Sequence, residues 1–174
     1  MVEILVTYAT KYGATREIAE RIGETLRQLG LEIEVESVEH VGDVSRYKAI
    51  VLGSGVYAGR WRKEAARFLV TNQDELARHL VWLFSSGPTG KGDPVELMKG
   101  WRFPAGLQTV ADRIRPRDIA LFHGVLNVSK MNIIERLLVK MIKAPLGDFR
   151  DWNAISAWAD KIAEGLEHPT PRSF

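Results

Sequence analysis

The chain has 174 residues, no cysteine, 45% hydrophobic and 26% charged residues, the composition of one globular domain long enough to bury a substantial core. Without cysteine there are no disulfides, thiolate-bound zinc or iron–sulfur centres, dithiol redox pairs or thiolate nucleophiles, so any redox work must fall to a bound cofactor. A formal charge of +2 is too small to indicate nucleic-acid binding.

No apolar run reaches the roughly 18 residues of a spanning helix. The N-terminus carries Glu3 inside its first apolar stretch and lacks the basic region and cleavage site of a signal peptide, so the cytoplasm is the expected compartment. Residues 2–8 are a short apolar run bounded by turn-formers and read as a buried strand. Beyond a turn-rich stretch, Ile18, Ala19, Ile22, Leu26 and Leu29 share one helical face, and Gly30 stops the helix. Residues 31–38 alternate apolar and polar, as an edge strand does, whereas 49–54 are apolar enough for a central strand. A glycine-spaced loop leads to a helix over 63–78, with Ala65, Ala66, Leu69 and Leu76 inward and a weak turn at Thr71 and Asn72. Residues 79–86 read as a fourth strand, 106–115 as a short helix ended by Pro116, and 118–127 as a fifth strand. Residues 128–147 break the alternation, and Asp151 opens a last helix carrying Trp152, Ile155, Trp158, Ala159 and Ile162. One domain over residues 1–166 with a flexible tail over 167–174 is expected.

Strand and helix alternating five times predict an α/β fold: a five-stranded parallel sheet with helices on both faces. For the strand order 2-1-3-4-5, a ligand crevice opens between the first and third strands, beyond their carboxyl ends. The loops after strands one, three and four should therefore carry function. The first joins a strand directly to a helix start through Thr10, Lys11, Tyr12, Gly13, Ala14 and Thr15. Hydroxyls flank a glycine there, and the positive end of the helix suits a phosphate; the competing reading is a helix simply capped by Thr10 or Thr15. The third-strand loop holds Gly53, Ser54, Gly55, Val56, Tyr57, Ala58 and Gly59, with Trp61 beyond, so it combines bare backbone with flat aromatic faces, though Tyr57 and Trp61 also suit ordinary packing. The fourth-strand loop offers Ser85, Ser86, Gly87, Pro88, Thr89 and Gly90, small and rich in backbone donors. Together these suit a planar ring joined to a phosphate by a polar chain, the form of flavin mononucleotide (FMN).

Other motifs fail on context. The GxGxxA pattern from Gly53 to Ala58 follows the third strand and no acid ends a strand about 20 residues on, which excludes a dinucleotide fingerprint. The Walker-like stretch has Ser85 in place of the first glycine and Gly92 in place of the magnesium-binding hydroxyl. A phospho-receiver needs acids where the first and third strands end in Thr7-Tyr8 and Gly53-Ser54. His40, His79, His123 and His168 are scattered, so no metal site is expected; His123 alone nears the ligand-facing end of a strand, where a structural role is the better expectation. No catalytic acid or base is assigned, because a flavin can accept a hydride while the protein supplies position and electrostatics.

Across residues 6–22, Tyr8, Thr10, Gly13, Thr15, Ala19 and Ile22 stand at the spacing of the flavodoxin phosphate signature, and Thr7 departs from it where an apolar residue is usual. The chain thus resembles the flavodoxins over residues 1 to 166, which implies that residues 10–15 hold the FMN phosphate and that residues 54–59 and 85–90 flank its ring. Within that superfamily it resembles the flavodoxin-type protoporphyrinogen IX dehydrogenases, which pass electrons to menaquinone in haem biosynthesis. The helix start from Thr10 to Ala19, the basic and aliphatic segment after the fifth strand, and the Asp151-Trp152 pair carry that likeness. The segment here is aliphatic with lysines where the family is rich in arginine and tyrosine. The resemblance implies an oxidoreductase with porphyrinogen and quinone as partners; the alternative is a soluble electron carrier without its own small-molecule substrate.

Within the inserted segment Met131, Ile134, Leu138 and Met141 recur at helical spacing, widened by Ile133, Leu137 and Ile142. Residues 124–150 carry a net charge of +3, leaving −1 for the remainder. A basic amphipathic helix over residues 130–143 can lie peripherally on the inner membrane face. It can equally pack on its own domain or on a second copy in a homodimer.

Overall fold

A computed structural model describes residues 3–169. Along the chain run β1 (Ile4–Ala9), α1 (Ala14–Gln28), β2 (Ile33–Ser37), β3 (Ala49–Tyr57), β4 (Arg60–Trp61), α2 (Lys63–Thr71), α3 (Gln73–Leu76), β5 (Leu80–Ser86) and α4 (Pro94–Leu97). They are followed by α5 (Gln108–Ile114), β6 (Asp118–Phe122), β7 (Val125–Leu126), α6 (Ile133–Ile142), β8 (Gly147–Asp148) and α7 (Trp152–Glu167). The parallel strands lie in the order β2-β1-β3-β5-β6, which is the expected arrangement; β4 adds an antiparallel turn to the end of β3.

Alternation along the strands divides the apolar side chains between two cores, because successive residues point to opposite faces. Leu5, Ile50, Leu52, Val81 and Leu83 meet Ala65, Leu69, Leu76 and Ile114 of α2, α3 and α5 on one side. Ile4, Val6, Ala49, Val51, Trp82 and Phe84 meet Ile18, Ile22 and Leu26 of α1 and Ile155, Trp158 and Ile162 of α7 on the other. Covered on both faces, the central strands are continuous apolar runs. Phe84, Phe122 and Trp158 pack with ring centroids 5.6–6.0 Å apart, and the Trp158 indole N–H donates to Asp118 at 2.8 Å.

α1 ends as expected at Gly30, whose φ of +86° allows its N–H to reach the Arg27 carbonyl at 2.9 Å while the Leu31 N–H reaches Leu26 at 3.3 Å. Leu29 leaves the stripe and is 55% exposed, because the helix has already stopped at Gln28; Leu31 packs on the core instead. The 63–78 helix divides into α2 and α3 at Asn72, whose side-chain amide donates to the Phe68 carbonyl. Residues 54–59 are not a free loop: β3 runs on to Tyr57 and folds back on β4 through Ala58 and Gly59, both at positive φ. The expected fifth strand stops at Phe122. Gly124 passes so close to Gly87 that a Cβ on Gly124 would lie 2.9 Å from the Gly87 Cα, and beyond it β7 pairs with β8. Glu167, assigned to the tail, closes α7; residues 170–174 of that tail lie outside the described residues.

The inserted segment is an arm: β7 and β8 form its base and α6 its tip. Asn132 caps α6, accepting from the Glu135 N–H at 2.8 Å while the Glu135 carboxylate accepts from the Asn132 N–H at 3.2 Å. Met131 precedes the helix. The apolar stripe faces away from the domain, with Ile133, Ile134, Met141 and Ile142 70–76% exposed. Among the described residues no helix is long and apolar enough to cross a membrane.

Candidate functional site

The carboxyl ends of β1, β3 and β5 lie side by side, with Ala9 opposite Ser54, Ser54 opposite Ser85 and Gly55 opposite Ser86. The three loops singled out in the sequence therefore converge at one end of the sheet. Between β1 and α1 the chain turns through Gly13 at φ +96°, and its N–H donates to the Thr10 hydroxyl at 3.0 Å. Gly13 is itself the N-cap residue and among the described residues no side chain caps α1, so neither Thr10 nor Thr15 plays that part. The helix thus opens with its first-turn amides toward a cleft lined by Tyr12, Gly13, Ala14, Glu17, Val125, Asn127, Lys130 and Arg150. The helix end contributes about +0.5 of a charge there.

Thr15 is buried, its hydroxyl 3.1 Å from that of Ser86, which ties the first loop to the end of β5. Gly55 leaves room for that contact, since a Cβ on it would lie 3.2 Å from the Thr15 hydroxyl. Ser54 and Ser85 are fully buried and spend their hydroxyls internally. Ser54 donates to the Gly55 carbonyl and accepts from the Arg62 N–H; Ser85 accepts from the Trp61 indole at 2.8 Å and donates to the Arg102 carbonyl. Trp61 packs edge-on against Phe103 and belongs to the core. Tyr57, by contrast, is 46% exposed at the crevice, with the Lys11 ammonium 5.9 Å from its ring centre. Partial desolvation raises the pKa of its hydroxyl, which keeps the ring a neutral phenol. Val56 pairs with Trp61, so Ala58 and Gly59 form the hairpin tip.

On the far side, Gly87 packs under Val56 and Gly124. His123, 7% exposed, fastens the loop that follows: one ring nitrogen lies 3.0 Å from the Pro88 carbonyl and the other 2.6 Å from that of Gly92. Both ring nitrogens thus face backbone carbonyls. Thr89 and Gly90 lie within this strapped loop, and a Cβ on Gly90 would stand 3.6 Å from Pro145 of the arm.

The arm brings residues to the first loop that sequence reasoning did not assign. Lys11 and the Tyr12 hydroxyl both donate to the Glu135 carboxylate. The Lys130 ammonium lies 3.4 Å from the Tyr12 carbonyl. Arg150, with only 8% of its side chain exposed, donates to the Ala14 carbonyl at 3.2 Å and pairs with Asp148 and Glu17. The Asn132-x-x-Glu135 capping box was visible in the sequence and places the start of α6. Nothing local says that α6 returns to the first loop.

Comparisons with known proteins agree with this fold. A model of the flavodoxin domain matches residues 5–153. Protoporphyrinogen IX dehydrogenase [quinone] of Escherichia coli (strain K12) is 24% identical over 182 residues, covering 95% of this chain and 97% of the relative. The fold superposes on a flavodoxin from the domain Archaea with a TM-score of 0.60 at 14% identity, covering 95% and 99% of the two chains. It superposes on the Streptococcus pneumoniae TIGR4 flavodoxin with a TM-score of 0.57 at 14% identity, covering 92% and 97%. The strand order, the uncapped helix start beside the first strand and a family match spanning most of the chain lead to one assignment: this chain belongs to the flavodoxin domain family.

Proposed function

We propose that the chain binds FMN in the crevice at the ends of β1, β3 and β5 and acts as an oxidoreductase that takes electrons from a porphyrinogen-type donor and passes them to a quinone. The observation that carries the cofactor is the start of α1, a positive-φ glycine with open space around it, followed by a helix that no side chain caps. The residues present fit the group: residues 10–15 would hold its phosphate, Tyr57 would offer a flat face to the ring, and the His123-fastened backbone at 87–90 would border the ring's other side. Ser54, Ser85 and Ser86 would shape the crevice floor, with Gly55 leaving its backbone bare. When bound, FMN supplies the capacity to accept and release electrons, while the protein sets orientation and local charge.

The full-length likeness to the E. coli dehydrogenase supports the donor and acceptor. The outward apolar face of α6 also supports the quinone: Ile133, Ile134, Leu137, Leu138, Met141 and Ile142 are at least 55% exposed, with Arg136, Lys140 and Lys143 among them. Such a face suits peripheral contact with an anionic lipid surface at the inner face of the membrane. A soluble carrier is the second reading, favoured by superposition along nearly the whole length of flavodoxins. The visible spectrum with and without added FMN tests the cofactor, and a protein that takes up no FMN overturns it. For a yellow protein, anaerobic bleaching by protoporphyrinogen and reoxidation by menadione marks the enzyme; failure of that bleaching leaves the carrier.

A further inference from the structure

We propose that the inserted arm is part of the cofactor site, with Lys130 supplying the cation that selects the phosphate-bearing form of the flavin and Glu135 positioning the arm that carries it. This rests on the FMN reading above and deepens it. A phosphate monoester carries close to two negative charges at neutral pH, more than the roughly +0.5 at a helix end balances. Of the cations near the first loop, Lys11 is paired with Glu135, and Arg150 is met by Asp148 and Glu17. Glu17 also lines the cleft and shares the Arg150 guanidinium with Asp148. Lys130 is different. Its ammonium sits at the cleft 3.4 Å from the Tyr12 carbonyl, and among the described residues no carboxylate pairs with it. Lys130 is therefore the cation at the cleft that no carboxylate holds, placed where the phosphate would meet the helix.

Lys130 reaches that place because the arm is pinned there. The Glu135 carboxylate completes the α6 capping box and also accepts from Lys11 and the Tyr12 hydroxyl, so one side chain joins the start of the arm's helix to the first loop. Lys130 and Glu135 grip the same residue, Tyr12, from its carbonyl and its hydroxyl. These contacts tie the loop to the arm, so loosening the arm would withdraw the cation.

The test is equilibrium titration of the flavin-stripped full chain with FMN and with riboflavin, which has the same ring without the phosphate. Lys130→Gln is expected to weaken FMN binding about tenfold at low salt and to leave riboflavin binding unchanged, since a charge at this range acts only on the charged ligand. Lys130→Arg restores FMN binding. Glu135→Gln combined with Lys11→Gln, which unpins the arm without freeing a charge, lowers FMN affinity by a smaller factor, again sparing riboflavin, and salt at about 0.5 M narrows the gap between wild type and Lys130→Gln. Equal FMN affinity in wild type and Lys130→Gln overturns the inference, as does a parallel loss of FMN and riboflavin binding, which would mark lost shape rather than lost charge. If the wild-type chain binds neither flavin, the FMN reading itself fails and this inference with it.

Discussion

Gly13 stands at φ +96° with nothing within 4 Å of where its Cβ would be, whereas a Cβ on Gly53 would fall 2.0 Å from the Phe84 ring. The first glycine answers a backbone need and the second a packing need, so their substitutions should part in effect. Gly13→Val forces a branched side chain into the left-handed region, costing about 1–2 kcal/mol and re-aiming the first-turn amides. FMN affinity should fall at least about tenfold, a loss of some 1.4 kcal/mol of binding read by flavin fluorescence titration. Gly53→Ala drives a methyl into a ring held between Phe122 and Trp158, and the urea midpoint should report a loss of about 2–3 kcal/mol. Thr7, the departure from the phosphate signature, is fully buried with a hydroxyl that has no partner among the described residues. Thr7→Val keeps the shape and removes that orphan, so it should raise stability by about 1 kcal/mol in the same measurement.

At the scale of elements, α6 has the clearest consequence. It meets the first loop through Glu135, keeps Val139 half-buried on that side and presents its large apolar residues on the other. Ile134→Glu combined with Met141→Glu should therefore cost the fold under about 0.5 kcal/mol, since neither side chain is buried. The same pair should abolish sedimentation with anionic vesicles. No binding of wild type to anionic vesicles, or undiminished binding of the double variant, would remove lipid as the cover of this face; a concentration-dependent dimer lost in the variant would put a second copy there. The helices were legible because their stripes are local: Ile18, Ile22 and Leu26, or Ile155, Trp158 and Ile162, recur within a single element. The end of β6, the β7–β8 base and the hairpin at Ala58 and Gly59 were not. β6 ends where Gly124 meets Gly87, distant in sequence, and the β7–β8 base and the hairpin rest on strand pairing that no apolar period records.

For the whole molecule, several carboxylates are held below their ordinary pKa by partners, which sets an acid limit. The Arg150 guanidinium, bonded to Asp148, lowers that carboxyl; the His79 bond does the same for Glu75, and the Lys48 bond for Glu3. A group lowered on folding adds stability that is present above its unfolded value and is lost as pH falls through the folded one. Stability should thus be level at neutral pH and begin to fall below about pH 4. Asp148 anchors the base of the arm beside Arg150, whose guanidinium lies 4.6 Å from the Trp152 ring centre, so Trp fluorescence at acid pH should change with or before global unfolding. A Trp signal unchanged until after the far-ultraviolet ellipticity is lost would count against this coupling.

The fold and the three loops were written in local patterns: apolar runs, alternation, one glycine at a helix start, and the punctuation of Gly30 and Pro116. Those follow from backbone sterics and hydrophobic burial, which act over a few residues at a time. Tertiary structure alone decided that the Ser54 and Ser85 hydroxyls turn inward, that Trp61 joins the core while Tyr57 stays at the crevice, and that Lys130, Glu135 and Arg150 gather at residues 11–14. Glu135 stands more than 120 residues from Lys11 in sequence. Ion pairs and hydrogen bonds across such separations leave no periodic trace, because any exposed charge can serve until the fold brings one within reach.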